Sequence, residues 1–216
     1  MPVRMITSPS SPPIALAAAP QDDTCLAFAN TRMYRGAPEP QDDLRTLDDL
    51  LAKAPGLTGA ARAALTAWAA DNPDAAAALF TEAVALRELV FRLFATIAAG
   101  TPAAEADLAA LNTALQAAPP RTRLARLGGE YVWQSHAAPT APAAAIAASL
   151  VAPILWSAAD LLVEAPRRRI RICANPECGW LFIDASKNGT RRWCDMSACG
   201  NRAKARRHYE KIKSIP

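Results

Sequence analysis

Four of the chain's five cysteines fall within residues 173–199, as Cys173 with Cys178 and Cys194 with Cys199. Each pair encloses four residues and fifteen lie between the pairs, a spacing that lets four thiolates meet at one tetrahedral zinc ion. Four sulfurs complete the coordination sphere, so the expected role of a single Zn2+ here is structural and not catalytic. The alternative is redox chemistry or disulfides. Nothing in the chain points to export, and the expected cytoplasmic setting is reducing, which disfavours structural bridges. Cys25, alone and early, reads as a buried and inert residue.

Between the pairs, Trp180-Leu181-Phe182-Ile183 is a short aromatic and β-branched run, Lys187-Asn188-Gly189 is a turn signal, and Arg192-Trp193 leads into the second pair. This pattern predicts a hairpin joining two metal knuckles. Ser197 is the expected N-cap of a helix reaching about Lys213, which puts Cys199 in its first turn near the positive end of the helix dipole. Knuckle, hairpin and ligand-bearing helix make a treble-clef-like order.

A formal net charge of +4 conceals an uneven distribution. Residues 167–216 carry 13 Lys+Arg against 4 Asp+Glu, which leaves 11 against 16 for residues 1–166. An acidic body joined to a basic module directs any polyanion partner to the module. On a helical projection, Ala198, Ala205, Tyr209 and Ile212 form a narrow stripe expected to pack on the metal core. Lys204, Arg207 and Lys211 share an outward side, with Arg206 and Lys213 flanking the stripe. Lys204, Arg206, Arg207 and Lys211, together with Arg191, are therefore the candidate phosphate contacts. Arg192, Asn201 and Arg202 are candidates for steadying the thiolates, whose excess negative charge calls for nearby donors and cations. Phosphate contacts position a protein on nucleic acid without selecting a sequence.

The same residues resemble the CGNR zinc-finger proteins of bacteria. The resemblance is carried by Cys173, Cys178-Gly179-Trp180-Leu181-Phe182, Asp184, Asn188-Gly189, Arg191-Arg192-Trp193-Cys194, Met196 and Cys199-Gly200-Asn201-Arg202, followed by Lys204 and Arg206-Arg207. It implies a transcription regulator, of a kind sometimes described as stress-induced, with an N-terminal helical ABATE domain. Leu26-Ala27-Phe28-Ala29-Asn30-Thr31 is similar to the Leu-Asp-Phe-x-Asn-Thr opening of that domain, with Ala27 where an acidic residue is usual.

Upstream, residues 1–21 are rich in Pro, Ser and Ala and read as a flexible leader; Pro9, Pro12 and Pro13 interrupt the apolar run that a signal peptide needs. Residues 22–166 are expected to form the helical domain and residues 167–216 the zinc module. Leu44, Leu47, Leu50 and Leu51 recur at helical spacing before Pro55-Gly56, and Thr58 is a candidate cap for a helix carrying Leu65 and Trp68. Asn72-Pro73-Asp74 opens the longest helix, whose apolar face of Leu79, Ala83, Leu86, Val90, Leu93, Phe94 and Ile97 suits a central rod ending at Gly100. Thr101-Pro102 starts another, with Leu108, Leu111 and Leu115 inward. Gly128-Gly129, between Leu124, Leu127 and Tyr131-Val132-Trp133, predicts a two-stranded hairpin. Residues 141–159 lack charge, but they are mostly alanine with Pro153 inside, which favours a buried helix over a membrane span.

The expected fold is thus mainly α: a helical N-terminal domain with a small β-hairpin, then the four-cysteine module. No catalytic constellation accompanies His136 and His208, so no enzyme is expected. Trp133 and His136 are candidates to line a pocket, against the alternative of ordinary packing and surface roles. A weaker enzymatic reading would gather Asn30, Thr31, Arg87 and Trp133 around a ligand. Two functions stay open: a DNA-binding regulator whose helical domain senses a small-molecule effector or forms a homodimer, and a zinc-stapled module docking RNA or an acidic protein without an operator.

Overall fold

The computed structural model describes residues 14–18, 23–54, 57, 59–121, 124–127, 129–137, 143–165 and 168–213. Pro55, Gly56, Thr58, Gly128 and most of the expected leader therefore lie outside the described residues. Within them, seven α-helices run in chain order as α1 (Thr24–Ala29), α2 (Leu47–Lys53), α3 (Gly59–Asp71), α4 (Pro73–Ala98), α5 (Glu105–Ala117), α6 (Ala143–Glu164) and α7 (Asn201–Lys213). The strands are β1 (Ile14–Ala18), β2 (Arg32–Met33), β3 (Gln41–Asp42), β4 (Leu124–Leu127), β5 (Glu130–Ala137), β6 (Ile170–Ile172) and β7 (Leu181–Ile183).

α4 is the rod around which the rest is arranged. Pro73 at its first turn has a fixed φ suited to a helix start, and Gly100 beyond its end takes φ +79, which costs glycine little. Its face of Leu79, Ala83, Leu86, Val90, Leu93 and Phe94 is buried, as the 3.6-residue period requires. Asn72, however, donates from Nδ2 to the Trp68 carbonyl (2.9 Å) and does not cap α4. α4 meets α1, α2, α3, α5, α6 and both β6 and β7, so the helical domain and the metal module share one core. Ile170 and Leu181 of the module lie in the same buried cluster as Leu93 and Leu155.

Several local expectations need correcting. α5 starts at Glu105, beyond the Thr101-Pro102 signal, with Ala104 preceding it in an extended conformation. α2 starts at a capping box that the leucine count did not single out: Asp49 N–H donates to Thr46 Oγ1 (3.2 Å), and Thr46 N–H donates to the Asp49 carboxylate (2.9 Å). The diglycine hairpin is part of a three-stranded antiparallel sheet in the order β1-β5-β4, so residues 14–18 of the expected leader add a strand. α6 keeps Pro153 in its interior and buries Leu150, Ile154, Leu155 and Leu161 against the core. No described helix is long and apolar enough to cross a membrane.

The metal module is seated on the helical domain by backbone contacts. Asn30, just after α1, uses its side-chain amide as a substitute strand partner: Nδ2 donates to the Leu181 carbonyl and Oδ1 accepts from the Leu181 N–H, both at 2.9 Å. Next, Tyr34 takes the left-handed region (φ 53), and the following residues run along the first cysteine knuckle, with Arg35 N–H donating to Cys178 O and Gly36 N–H to Glu177 O, each at 3.3 Å. Gly36 is there because of proximity. A Cβ at this position would overlap the Pro176 carbonyl oxygen.

Gly36→Ala should therefore push the loop off the knuckle and lower stability by about 1–3 kcal/mol, the usual cost of overpacking. Gly59→Ala, where nothing lies within 4 Å of the added carbon, should be neutral or slightly stabilising. Denaturant melts of the two variants beside the parent check this; equal loss in both would refute the seating argument.

Candidate metal centre

The first knuckle closes the β6–β7 hairpin. Cys173 N–H donates to Trp180 O (2.8 Å) and Cys178 N–H to Asn175 O (2.9 Å), which turns both sulfurs to one side. The strand at Leu181–Ile183 thus pairs with Ile170–Ile172, which precedes the knuckle, and not with the segment leading to Cys194 as the turn signal predicts. The reason is Asp184. Its buried carboxylate accepts from Ser186 N–H (3.0 Å), Ser186 Oγ (2.5 Å), Arg191 N–H (3.1 Å) and Arg171 Nε (3.2 Å). These bonds close the 185–190 loop without a ladder. They also hold the Asp184 carboxyl below the usual carboxylate range, the Ser186 hydroxyl first among the causes.

The second knuckle leads into α7 through a wide helical turn over Met196–Gly200. Its cap is Asp195 and not Ser197: Asp195 accepts from Ala198 N–H at 2.9 Å and from Ser197 Oγ at 2.5 Å. Cys199 consequently sits inside this wide turn, two residues before α7 begins.

All four sulfurs lie within 4.8 Å of one another, with Cys178 to Cys194 at 3.7 Å and Cys194 to Cys199 at 3.8 Å. A zinc ion bonded to four sulfurs at about 2.3 Å requires a tetrahedron with edges of about 3.8 Å. The residues therefore fit one structural Zn2+, held by Cys173, Cys178, Cys194 and Cys199. Burial pushes the Cys178 thiol up to about 12, and burial with the neighbouring Cys178 and Cys173 pushes Cys194 up as well. Burial also acts upward on Cys199, but hydrogen bonds from Asn175 and the adjacent thiols outweigh it and keep this group below the usual thiol range. A divalent cation bound here displaces those protons. Cys25 lies apart, buried in the helical core and pushed up to about 12 by desolvation, in keeping with an inert thiol.

Around the sulfurs, Asn175 Nδ2 points to Cys199 Sγ (3.7 Å) and Arg202 Nη2 to the same sulfur (3.9 Å). Arg202 also lies over the Tyr34 ring, 5.4 Å from its centre, and so joins the metal shell to the helical domain. Asn201 bonds the Ser197 carbonyl (3.0 Å), and Arg192 lies over the Trp193 ring (5.4 Å) without reaching a sulfur. Sequence reasoning missed Asn175 and gave Asp184 no role. The available signals were a polar residue inside a knuckle, and an acid two positions before a serine in a turn.

Arg191, grouped by sequence with the phosphate contacts, braces the second knuckle: it donates from Nε to Trp193 O (2.9 Å) and from Nη2 to Cys194 O, and it covers the Phe182 ring. Lys204, Arg206 and Arg207 are exposed on α7. Lys211 is in α7, and its side chain lies outside the described residues. The stripe expected to pack inward does not pack. Tyr209 is 68% exposed and Ile212 53%, because α7 rests on its preceding turn and then projects away.

Of the four candidate pocket residues, Asn30 and Thr31 line one space of about 440 Å³ together with Lys53, Leu181 and Arg191, and Arg87 and Trp133 are not among its walls. Asn30 holds Leu181, while Thr31 donates from its hydroxyl to Phe28 O (2.7 Å). Arg87 is buried against Asp42, with Nη1–Oδ1 at 2.5 Å and Nη2–Oδ2 at 2.8 Å, and Trp133 stands on β5 across from Leu124. His136 is on β5 too, with its side chain outside the described residues. A larger space lies elsewhere: a groove of about 820 Å³ between α4, α5 and α6, with Leu86, Leu89, Ala114 and Leu155 in its walls.

Residues 22–165 match the ABATE family, described as "Putative stress-induced transcription regulator", and residues 169–211 match the CGNR zinc finger. Neither is an enzyme family by description. No individual curated protein matches the chain.

The raised thiols generate a pH prediction. Zinc affinity, measured by chelator competition, should fall steeply as pH drops from about 8 to about 6, because protons compete for the sulfurs. Cys194→Ala should bring zinc below one equivalent per chain and lower the melting temperature. A pH-independent affinity would argue against a thiolate site.

Proposed function

The chain belongs to the ABATE family and carries a CGNR zinc finger, and from this premise we propose that it is a DNA-binding transcription regulator whose zinc module contacts phosphates through α7. The observation that carries the reading is the state of the basic residues on that helix. Lys204, Arg206 and Arg207 are exposed, and among the described residues none of them pairs with a carboxylate. A basic helix that served only to neutralise the thiolates would need Arg202 and little more. A projecting helix with unneutralised cations is suited to releasing counterions from a nucleic-acid backbone.

The helical domain is the place for regulation. The groove between α4, α5 and α6 has the volume of a small-molecule site and mostly apolar walls, which favours it over the Asn30–Trp133 set for an effector. Because α4 also packs on β6 and β7, a ligand that shifts α4 acts directly on the zinc module. The competing reading, a module that docks RNA or an acidic protein without an operator, draws on the same charge but gives no part to the family's regulatory description.

Replacing Lys204, Arg207 and Lys211 together by alanine should flatten the salt dependence of duplex DNA binding by about 0.9 log unit per log unit of salt for each phosphate contact removed. Zinc content and melting temperature should be unchanged, since Lys204 and Arg207 are exposed and touch no sulfur, and Lys211 lies in the far half of α7. Equal slopes in parent and triple variant would remove the assignment, and footprints at discrete genomic sites would separate a regulator from a docking module.

A further inference from the structure

Beside the metal, a crevice of about 180 Å³ separates the first knuckle from the start of α7. Its floor is apolar, made by Ala174, Pro176, Trp193 and Ala203. Four arginines, Arg192, Arg202, Arg206 and Arg207, also line it, and among the described residues no carboxylate pairs with any of them. Arg202 is partly engaged by Cys199 and the Tyr34 ring, and Arg207 only by a long bond to Ala203 O (3.4 Å). Arg206 meets no partner among the described residues, and Arg192 lies over Trp193.

A recess of this kind is poorly matched to duplex DNA. Base edges of a stacked pair are read by side chains that protrude into a groove, and backbone phosphates need a charged surface and no apolar floor. An unpaired nucleotide needs both parts of the crevice. Its base requires a flat, partly apolar face, for which an arginine plane over an indole is suited, and its flanking phosphates require guanidinium groups on either side.

We propose that this crevice seats one unpaired nucleotide of a DNA strand, with the base against the Arg192–Trp193 face and the neighbouring phosphates on Arg206 and Arg207. The inference rests on the nucleic-acid reading of the module and adds to it a preference for unpaired DNA, at a position where sequence alone offered no side chain to meet a base. Arg202 is a positioning residue, held by the thiolate cluster and by Tyr34, so the crevice keeps its shape only while the metal knuckles do.

Fluorescence anisotropy on the full zinc-loaded chain tests it with three probes of equal phosphate number: a labelled oligothymidylate of about twelve nucleotides, a duplex, and the same strand with abasic sites. The intact strand should bind at least about fivefold more tightly than either of the others at one salt concentration. Arg192→Ala should bring the strand to the duplex level, and Arg192→Lys, which keeps the charge and loses the plane, should do nearly the same, with zinc content confirming the fold. A duplex that binds as tightly as the strand, or an abasic strand that matches the intact one, would overturn the base-seating inference and leave the phosphate reading of α7 in place. Absence of salt-dependent binding to all three would remove both.

Discussion

The C-terminal part of the chain depends on four thiolates converging in a space that accepts one ion. The knuckles bury Cys173, Cys178 and Cys199 with Trp180 and Trp193 packed beside them; of the rest, the two three-residue strands send Ile170 and Leu181 into the core of the helical domain, and α7 hardly packs at all. Apolar burial on that scale does not offset the entropy of ordering such a segment. Metal ligation supplies the missing stabilisation, and it does so locally, so the first turn of α7 is held while its far end projects into solvent. The exposure of Tyr209 and Ile212 follows from this division.

The ion alone does not orient the module. Asn30 completes the free edge of β7 and the 34–36 loop lines the first knuckle, so the helical domain grips the metal module by backbone groups whose positions the sulfurs themselves fix. Behind that loop runs a chain of charges. Arg35 donates to Glu88 and lies over Phe91, Glu88 accepts from Arg87, and Arg87 pairs with Asp42 on β3. Burial acts against each ionised form, but the mutual hydrogen bonds outweigh it: Asp42 and Glu88 are held below the usual carboxylate range and Arg87 above the usual guanidinium range. The carboxylate contribution to stability is therefore present above the unfolded-state pKa, near 4, and is lost only as pH falls through the lower folded values. At neutral pH the network is fully charged and links α4 to the zinc knuckle.

Much of this was legible in the residues, and the parts that were not have identifiable causes. Cysteine spacing specified the metal site because ligand geometry is short-range and tightly constrained, and the period of Leu79 to Phe94 specified α4 because a buried stripe has one solution. The roles of Asn30 and Gly36 were hidden because each satisfies a partner more than a hundred residues away, and an Asn-Thr pair after a short helix looks the same whether it caps, binds a ligand or substitutes for a strand. The pairing of β7 with β6 is not readable from the turn signal because Asp184 closes the 185–190 loop with side-chain bonds, which period-2 patterning does not register. A helical projection of α7 displays an apolar stripe but does not register whether a surface is present to receive it, and Tyr209 and Ile212 stay exposed.

The arginines show most clearly why sequence charge underdetermines function. Of the residues in the net-positive module, Arg191 braces carbonyls, Arg171 serves Asp184, and Arg202 divides itself between a sulfur and an aromatic ring of the other domain. Net charge alone does not distinguish these three from cations that are free to meet a phosphate. What remains once those obligations are met is a smaller set on one side of α7 and around one crevice, and its members share the absence of any carboxylate partner among the described residues. A cation without a counter-charge loses nothing in the protein when it meets a phosphate, whereas a paired one must first break its bond. The zinc module can therefore use one residue type both to hold its own metal shell and to meet a polyanion, provided the two groups are kept apart by the geometry of the knuckles.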